Sequence, residues 1–163
     1  MDDNFLKQQF LERTQKHIQL VNEFAAKIGK QYPSHDSSKL VMLLEGYKYF
    51  MIPQQDLTED QKYALDISTL MHIKSAPHHP EYWTSTDLTG FTRTNYCPNG
   101  PIDATDMPEE CLEQMVCDWA AMSKEYGKNT PMEWFESVNG KRWIFTPQQQ
   151  EFIRQTIEKV WNG

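Results

Sequence analysis

His35-Asp36-Ser37-Ser38-Lys39 sets an imidazole directly beside a carboxylate, the donor pair taken up by a divalent metal that needs nitrogen and oxygen ligands. Two adjacent residues do not fill a coordination sphere, so the rest of the chain has to supply more. The stretch follows Pro33-Ser34, a helix-starting context, which places the dipeptide at or just before a helix N-terminus with Lys39 one turn in. A helix dipole and a lysine there suit an anion such as phosphate next to a metal. The plainer local reading has Ser34 or Asp36 capping the helix and Lys39 solvated.

Upstream, residues from about Asn4 to Lys30 read as one amphipathic helix. Phe10, Thr14, His17, Val21, Phe24 and Ile28 recur at spacings of three and four, which puts His17 on the core-facing stripe. Gly29 and Pro33 end it. Downstream, Leu40, Val41, Leu43, Leu44, Tyr47 and Phe50 predict a second helix with a broad apolar face. Thr58-Glu59-Asp60-Gln61 has the form of a capping box and opens a third, running to about Lys74. Its main apolar face is Tyr63, Ile67, Leu70 and Met71, with His72 on the opposite side beside Leu65 and Thr69.

Pro77-His78-His79-Pro80-Glu81-Tyr82-Trp83 breaks that helix. A proline on each side restricts the histidine pair and lowers the entropic cost of presenting a ligand. Thr84 to Thr105 is a long loop rich in Thr, Asn, Gly and Pro, of the kind that often serves function. Asp106-Met107-Pro108-Glu109 then starts a helix with an N-cap and an early proline. Along it Cys111, Met115, Asp118 and Met122 share one face. A carboxylate in an apolar stripe needs a cation, a metal or strong donors to stay ionised, so Asp118 is the sharpest inference from periodicity. A short helix from Thr130-Pro131, an extended piece Trp143-Ile144-Phe145 and a last helix from Thr146-Pro147 to about Trp161 complete an all-α chain. The expectation is a single domain over residues 1–163, a helical bundle with a long central loop.

With 163 residues and 39% hydrophobic content, the chain is long enough for one packed core. A formal net charge of -7 argues against an extended nucleic-acid surface, although it leaves room for a small phosphorylated substrate. There is no membrane-length apolar run, and the start Met1-Asp2-Asp3-Asn4 lacks the order of a secretory signal. Three cysteines, Cys97, Cys111 and Cys117, form no complete disulfide framework. A cytoplasmic setting is expected.

In order, His17, His35-Asp36, His72, His78/His79 and Asp118 resemble the H…HD…D metal motif of the HD-domain superfamily, an all-helical fold. The stretches H-D-x-S-K, H-H-P-E-Y-W and M-P-E-E with C-D-W (Cys117-Asp118-Trp119) resemble more closely a small uncharacterised family within that orbit. The resemblance implies a first metal on His17, His35, Asp36 and Asp118. It implies a second on His72 and one of His78 or His79, with Asp36 bridging. It implies one or two divalent transition ions (Mn, Fe, Co, Ni or Zn) and a phosphate contact at Lys39.

The activity expected is that of a metal-dependent phosphohydrolase acting on a nucleotide or related phosphoester. Asp36 or Glu81 would move the proton, and Tyr82 and Trp83 would stack a base. The G-Y-P motif of cyclic-dinucleotide phosphodiesterases is absent, which sets that substrate aside. A diiron oxygenase of HD type and a non-catalytic metal-binding regulator use the same ligand order and stand as alternatives.

Overall fold

In the computed structural model, which describes residues 2–163, six α-helices carry the chain and the all-α expectation holds. Helix α1 spans Asp3–Ala26, α2 Leu44–Tyr47, α3 Glu59–Ser75, α4 Glu109–Tyr126, α5 Pro131–Val138 and α6 Pro147–Trp161. Two short strands, β1 (Ile102–Asp103) and β2 (Trp143–Ile144), pair in parallel with Ile102 opposite Trp143. No helix of the described residues is long and apolar enough to cross a membrane.

The start signals read from the sequence act as expected at three helices. Thr58, Thr130 and Thr146 each accept from the backbone N–H three residues on, and Gln61, Glu133 and Gln149 reach back to complete capping boxes. At α4 the cap differs. Pro108 occupies the N-cap position and no side chain caps the helix, so Asp106 lies outside it.

Two apolar clusters form the interior. The larger joins Val21 and Phe24 of α1, Leu112 and Val116 of α4, and Ile153 and Ile157 of α6 around Phe135 of α5. The smaller gathers Phe10, Leu43, Tyr47, Leu57 and Leu65, with the Phe10 and Tyr47 rings stacked at 5.3 Å. Each fully buried large apolar side chain contributes about 1.5–3 kcal/mol, enough in sum to carry some buried polar groups. Those groups lie on α1 between its contributions to the two clusters: Arg13, Thr14 and His17 are all buried.

Two expectations are corrected here. The stretch after His35-Asp36 is not one long helix. It is a 3-10 turn over Ser37–Leu40, then the single turn of α2, and Val41 and Met42 between them are among the most exposed apolar residues of the chain. The reason is local. Asp36 adopts left-handed backbone (φ 55), which Asp tolerates better than most residues, and its carboxylate makes no capping bond. With no long helix beginning there, a helix dipole does not supply the anion attraction.

Helix α3 is also turned over relative to its apolar count. Tyr63, Ile67 and Met71 are exposed, and the buried face is Leu65, Ser68, Thr69, His72 and Ile73. That face is chosen by close approach. A Cβ added at Gly46 of α2 would stand 1.9 Å from Ser68 Oγ and 2.4 Å from the Ala64 carbonyl, so small and polar residues are what lets α2 and α3 meet.

Candidate metal centre

His17 enters the centre from the middle of α1, Asp118 from α4, His35 and Asp36 from the turn after α1, His72 from the last turn of α3, and His78 and His79 from the loop beyond it. The Pro77–Pro80 loop is held by the His79 N–H donating to the Ala76 carbonyl at 3.0 Å. All seven expected ligands converge. They form two groups whose donor atoms lie within 4.8 Å of one another: His17, His35 and Asp118, and Asp36, His72, His78 and His79.

Asp36 joins the groups through its two oxygens. Its Oδ2 is 3.5 Å from both His17 Nε2 and His35 Nε2, while Oδ1 is 3.1 Å from His72 Nε2 and 3.3 Å from His78 Nε2. Asp118 Oδ1 is 3.0 Å from His17 Nε2 and 3.7 Å from His35 Nε2, and its Oδ2 is 3.8 Å from His78 Nε2. Nitrogen also faces nitrogen, His17 Nε2 to His35 Nε2 at 3.3 Å and His72 Nε2 to His79 Nε2 at 3.1 Å.

These spacings test the fit to a metal. Donors about 2.0–2.2 Å from one ion stand about 3.0–3.6 Å from each other. Hydrogen bonding alone does not account for the arrangement, because one ring N–H cannot serve the three neighbours of His17 Nε2. The buried atoms Asp36 Oδ1 and His78 Nε2 have no regular hydrogen-bond partner, which a shared cation resolves. The buried His/Asp cluster can therefore hold metal.

The electrostatics prepare the donors. At His72, burial pushes the imidazole down to about 4, with Lys39 adding to the effect. At His79, burial, His78 and His72 push the ring well below the usual histidine range. Burial also lowers His35. Each is neutral and free to offer a lone pair. His17 is the exception: burial pulls it down, but bonds to Asp118 and Glu125 outweigh this and hold it at about 9. For Asp36, burial is outweighed by Lys39 and His35, and for Asp118 by bonds to His17 and His35, so both carboxyls are held well below their ordinary range.

A supporting layer missing from the sequence reading orients the rings. Glu125 Oε2 lies 3.3 Å from His17 Nδ1, and Arg13 holds Glu125 with Nε to Oε1 at 2.7 Å and Nη2 to Oε2 at 3.2 Å. The Gln114 amide sits 2.9 Å from His35 Nδ1 and 3.4 Å from His78 Nδ1. With each Nε2 turned into the cage, Nδ1 carries the proton, and the amide serves both rings when its oxygen faces them. A signal for these residues existed. Gln114 and Glu125 stand four before and seven after Asp118, and Arg13 stands four before His17, each pair on one helix face.

Asp118 itself does not lie inside the apolar stripe. Its side chain is 14% exposed, at the edge where α4 meets a cavity of about 460 Å³. His17, His72, His79 and Lys39 reach the same cavity. Five of the sixteen lysines and arginines line it (Arg13, Lys39, Arg93, Lys128 and Arg142), against one carboxylate, Asp118, among the described residues.

The other sequence-derived candidates sit elsewhere. Glu81 is buried, but its Oε2 accepts from Trp143 Nε1 at 2.9 Å and Arg142 Nη2 at 3.3 Å rather than facing the cage. Tyr82 and Trp83 are not among the cavity's lining residues. The 3-10 turn over Pro80–Tyr82 carries the Trp83 indole N–H to the Pro77 carbonyl at 2.9 Å and packs the two rings edge to face. The aromatic wall is instead Tyr47, Tyr96, Trp119, Trp134 and Trp143.

A family model described as a family of unknown function (DUF5662) matches residues 6–159, a span that contains every residue of the cage. Neither a curated protein nor a solved structure matches the chain.

Proposed function

The chain belongs to the DUF5662 family, and we propose that it is a metal-dependent phosphohydrolase whose two donor groups, His17, His35 and Asp118, and Asp36, His72, His78 and His79, would hold two divalent ions, with Asp36 facing both groups. The observation that carries this reading is the cation-lined cavity opening onto the cage in a protein of net charge -7. Such concentration of positive charge at one concave site fits a small anionic substrate. A bound divalent ion supplies an acidified water and draws charge from a phosphoryl oxygen.

The chain's own residues do the rest. His17, His35, His72, His78 and His79 would contribute nitrogen donors, His17 giving up its proton as the cation binds, and Asp36 and Asp118 would contribute the negative charge that retains a cation. Lys39, with Nζ 3.1 Å from Asp36 Oδ2 and on the cavity wall, would meet a phosphoryl oxygen entering from the cavity. Asp118, at the cavity edge, would accept a proton from a water held there. The aromatic wall excludes water and offers flat surfaces for a base, a task that falls to Tyr47, Tyr96 or the tryptophans rather than to Tyr82 and Trp83.

The test is phosphate release from a panel of nucleotides and simple phosphoesters by protein loaded in turn with Mn, Fe, Co, Ni and Zn. Metal-dependent release that Asp36→Ala abolishes is the expected result. Oxygen consumption coupled to turnover, with no phosphate released, would replace this reading by the diiron oxygenase. Metal binding without either activity would leave the regulator.

A further inference from the structure

We propose that Arg93 and Arg142 form a second anion subsite in the cavity, so that the substrate carries a second phosphate besides the one placed at the cage. This deepens the phosphohydrolase reading and rests on it for the first phosphate.

Arg93 is half-buried and lines the cavity. The carboxylate that fixes it, Asp66, accepts from its backbone N–H at 2.9 Å, and the guanidinium has no ion-pair partner among the described residues. That guanidinium lies 5.1 Å from the centre of the Phe50 ring. The turn is set by mutual backbone bonds between Thr92 and Asn95, so the arginine is aimed by its backbone and not by a partner charge. A guanidinium on the cavity wall with donors not taken by protein acceptors among the described residues is free to receive an anion.

Arg142 lines the same cavity. Its guanidinium is held 4.1 Å from the Tyr96 ring and 4.1 Å from the Trp143 ring. Only Nη2 is engaged by Glu81, and Nε is a buried donor with no partner among the described residues. Flat, clamped guanidiniums present paired N–H groups, the geometry that fits phosphate. Tyr96 ties the two together, three residues after Arg93 in sequence and in contact with Arg142 in space. Glu81 gains a role as a positioning residue: from the loop carrying His78 and His79 it fixes Arg142 and Trp143, and so couples the cage to the second subsite.

Lys39 and the metal ligands account for one phosphate. Arg93 stands on the segment between α3 and α4 and Arg142 immediately precedes β2, whereas Lys39 stands on the turn after α1. A monoester at the cage would leave Arg93 without an anion and Arg142 with Glu81 alone.

The test compares adenosine 5′-monophosphate with adenosine 3′,5′-bisphosphate on metal-loaded protein, wild type against Arg93→Gln, Arg93→Lys and Arg142→Gln. The wild type is expected to favour the bisphosphate in kcat/KM by about tenfold or more, as one charge-assisted contact allows. Arg93→Gln and Arg142→Gln shrink that ratio, and Arg93→Lys restores part of it. A wild-type ratio near one, or a ratio that neither glutamine variant moves, overturns the subsite. Should no ester be turned over, the hydrolase reading fails by itself, and calorimetric titration with the same bisphosphate decides the subsite. Affinity lost in both glutamine variants supports it, and unchanged affinity removes it.

Discussion

Lys39 Nζ lies 3.1 Å from Oδ2 of Asp36, the same oxygen that stands 3.5 Å from His17 Nε2 and 3.5 Å from His35 Nε2. The lysine therefore touches the bridging carboxylate without belonging to the nitrogen donor set. Replacing it should separate metal retention from substrate handling. Lys39→Met is expected to keep its metal and to lose about 100-fold in kcat/KM, the scale of one removed charge-stabilising donor. Metal analysis beside steady-state kinetics checks it. A variant that loses metal and activity together would instead place Lys39 in the structural support of the cage.

Glu125 acts through His17. Glu125→Gln preserves a hydrogen-bonding oxygen for Nδ1 but removes the charge that Arg13 clamps. Outer partners of ligand histidines are worth about 10–100-fold in metal affinity. A chelator competition should find the variant's affinity lower by that factor while its circular dichroism stays that of the wild type. Equal affinities would mean that the Arg13–Glu125 pair serves folding alone.

Gln114 supports two rings at once, His35 and His78, one from each ligand group. Gln114→Leu should therefore weaken both ions in a metal titration, by about 10-fold or more each. Weakening of a single ion would show that the longer contact, 3.4 Å to His78, carries no load.

Gly46→Ala tests the meeting of α2 and α3. The added Cβ would collide with the Ala64 carbonyl at 2.4 Å as well as with Ser68 Oγ, and the backbone oxygen has little room to give. Overpacking of this kind costs about 1–3 kcal/mol. Urea denaturation should show the loss, and adding Ser68→Gly should recover only part of it because Ala64 remains. Full recovery would assign the clash to the serine alone.

How far the chain could be read in advance depended on whether neighbours in space were also neighbours along a helix. His17 was visible because a stripe at spacings of three and four placed it among Phe10, Val21 and Phe24, and these are buried with it. His72 was harder. The buried face of α3 is rich in Ser68, Thr69 and His72, so counting apolar residues selects Tyr63, Ile67 and Met71, which face out. The turn at His35-Asp36 misled in another way: its helix-starting composition serves a left-handed Asp36 whose carboxylate points into the cage. Arg93 and Arg142 had no local signature. The first depends on Asp66 twenty-seven positions away, and the second on the pairing of β2 with β1.

The most direct test of the two-ion cage is a metal titration of stripped protein monitored for stoichiometry, run on wild type and Asp36→Ala with the fold of each verified. The bridging position of Asp36, with one oxygen toward each ligand group, predicts two equivalents per chain in the wild type and none bound tightly in Asp36→Ala. Two equivalents retained by a folded Asp36→Ala protein, or none bound by the wild type, would contradict it.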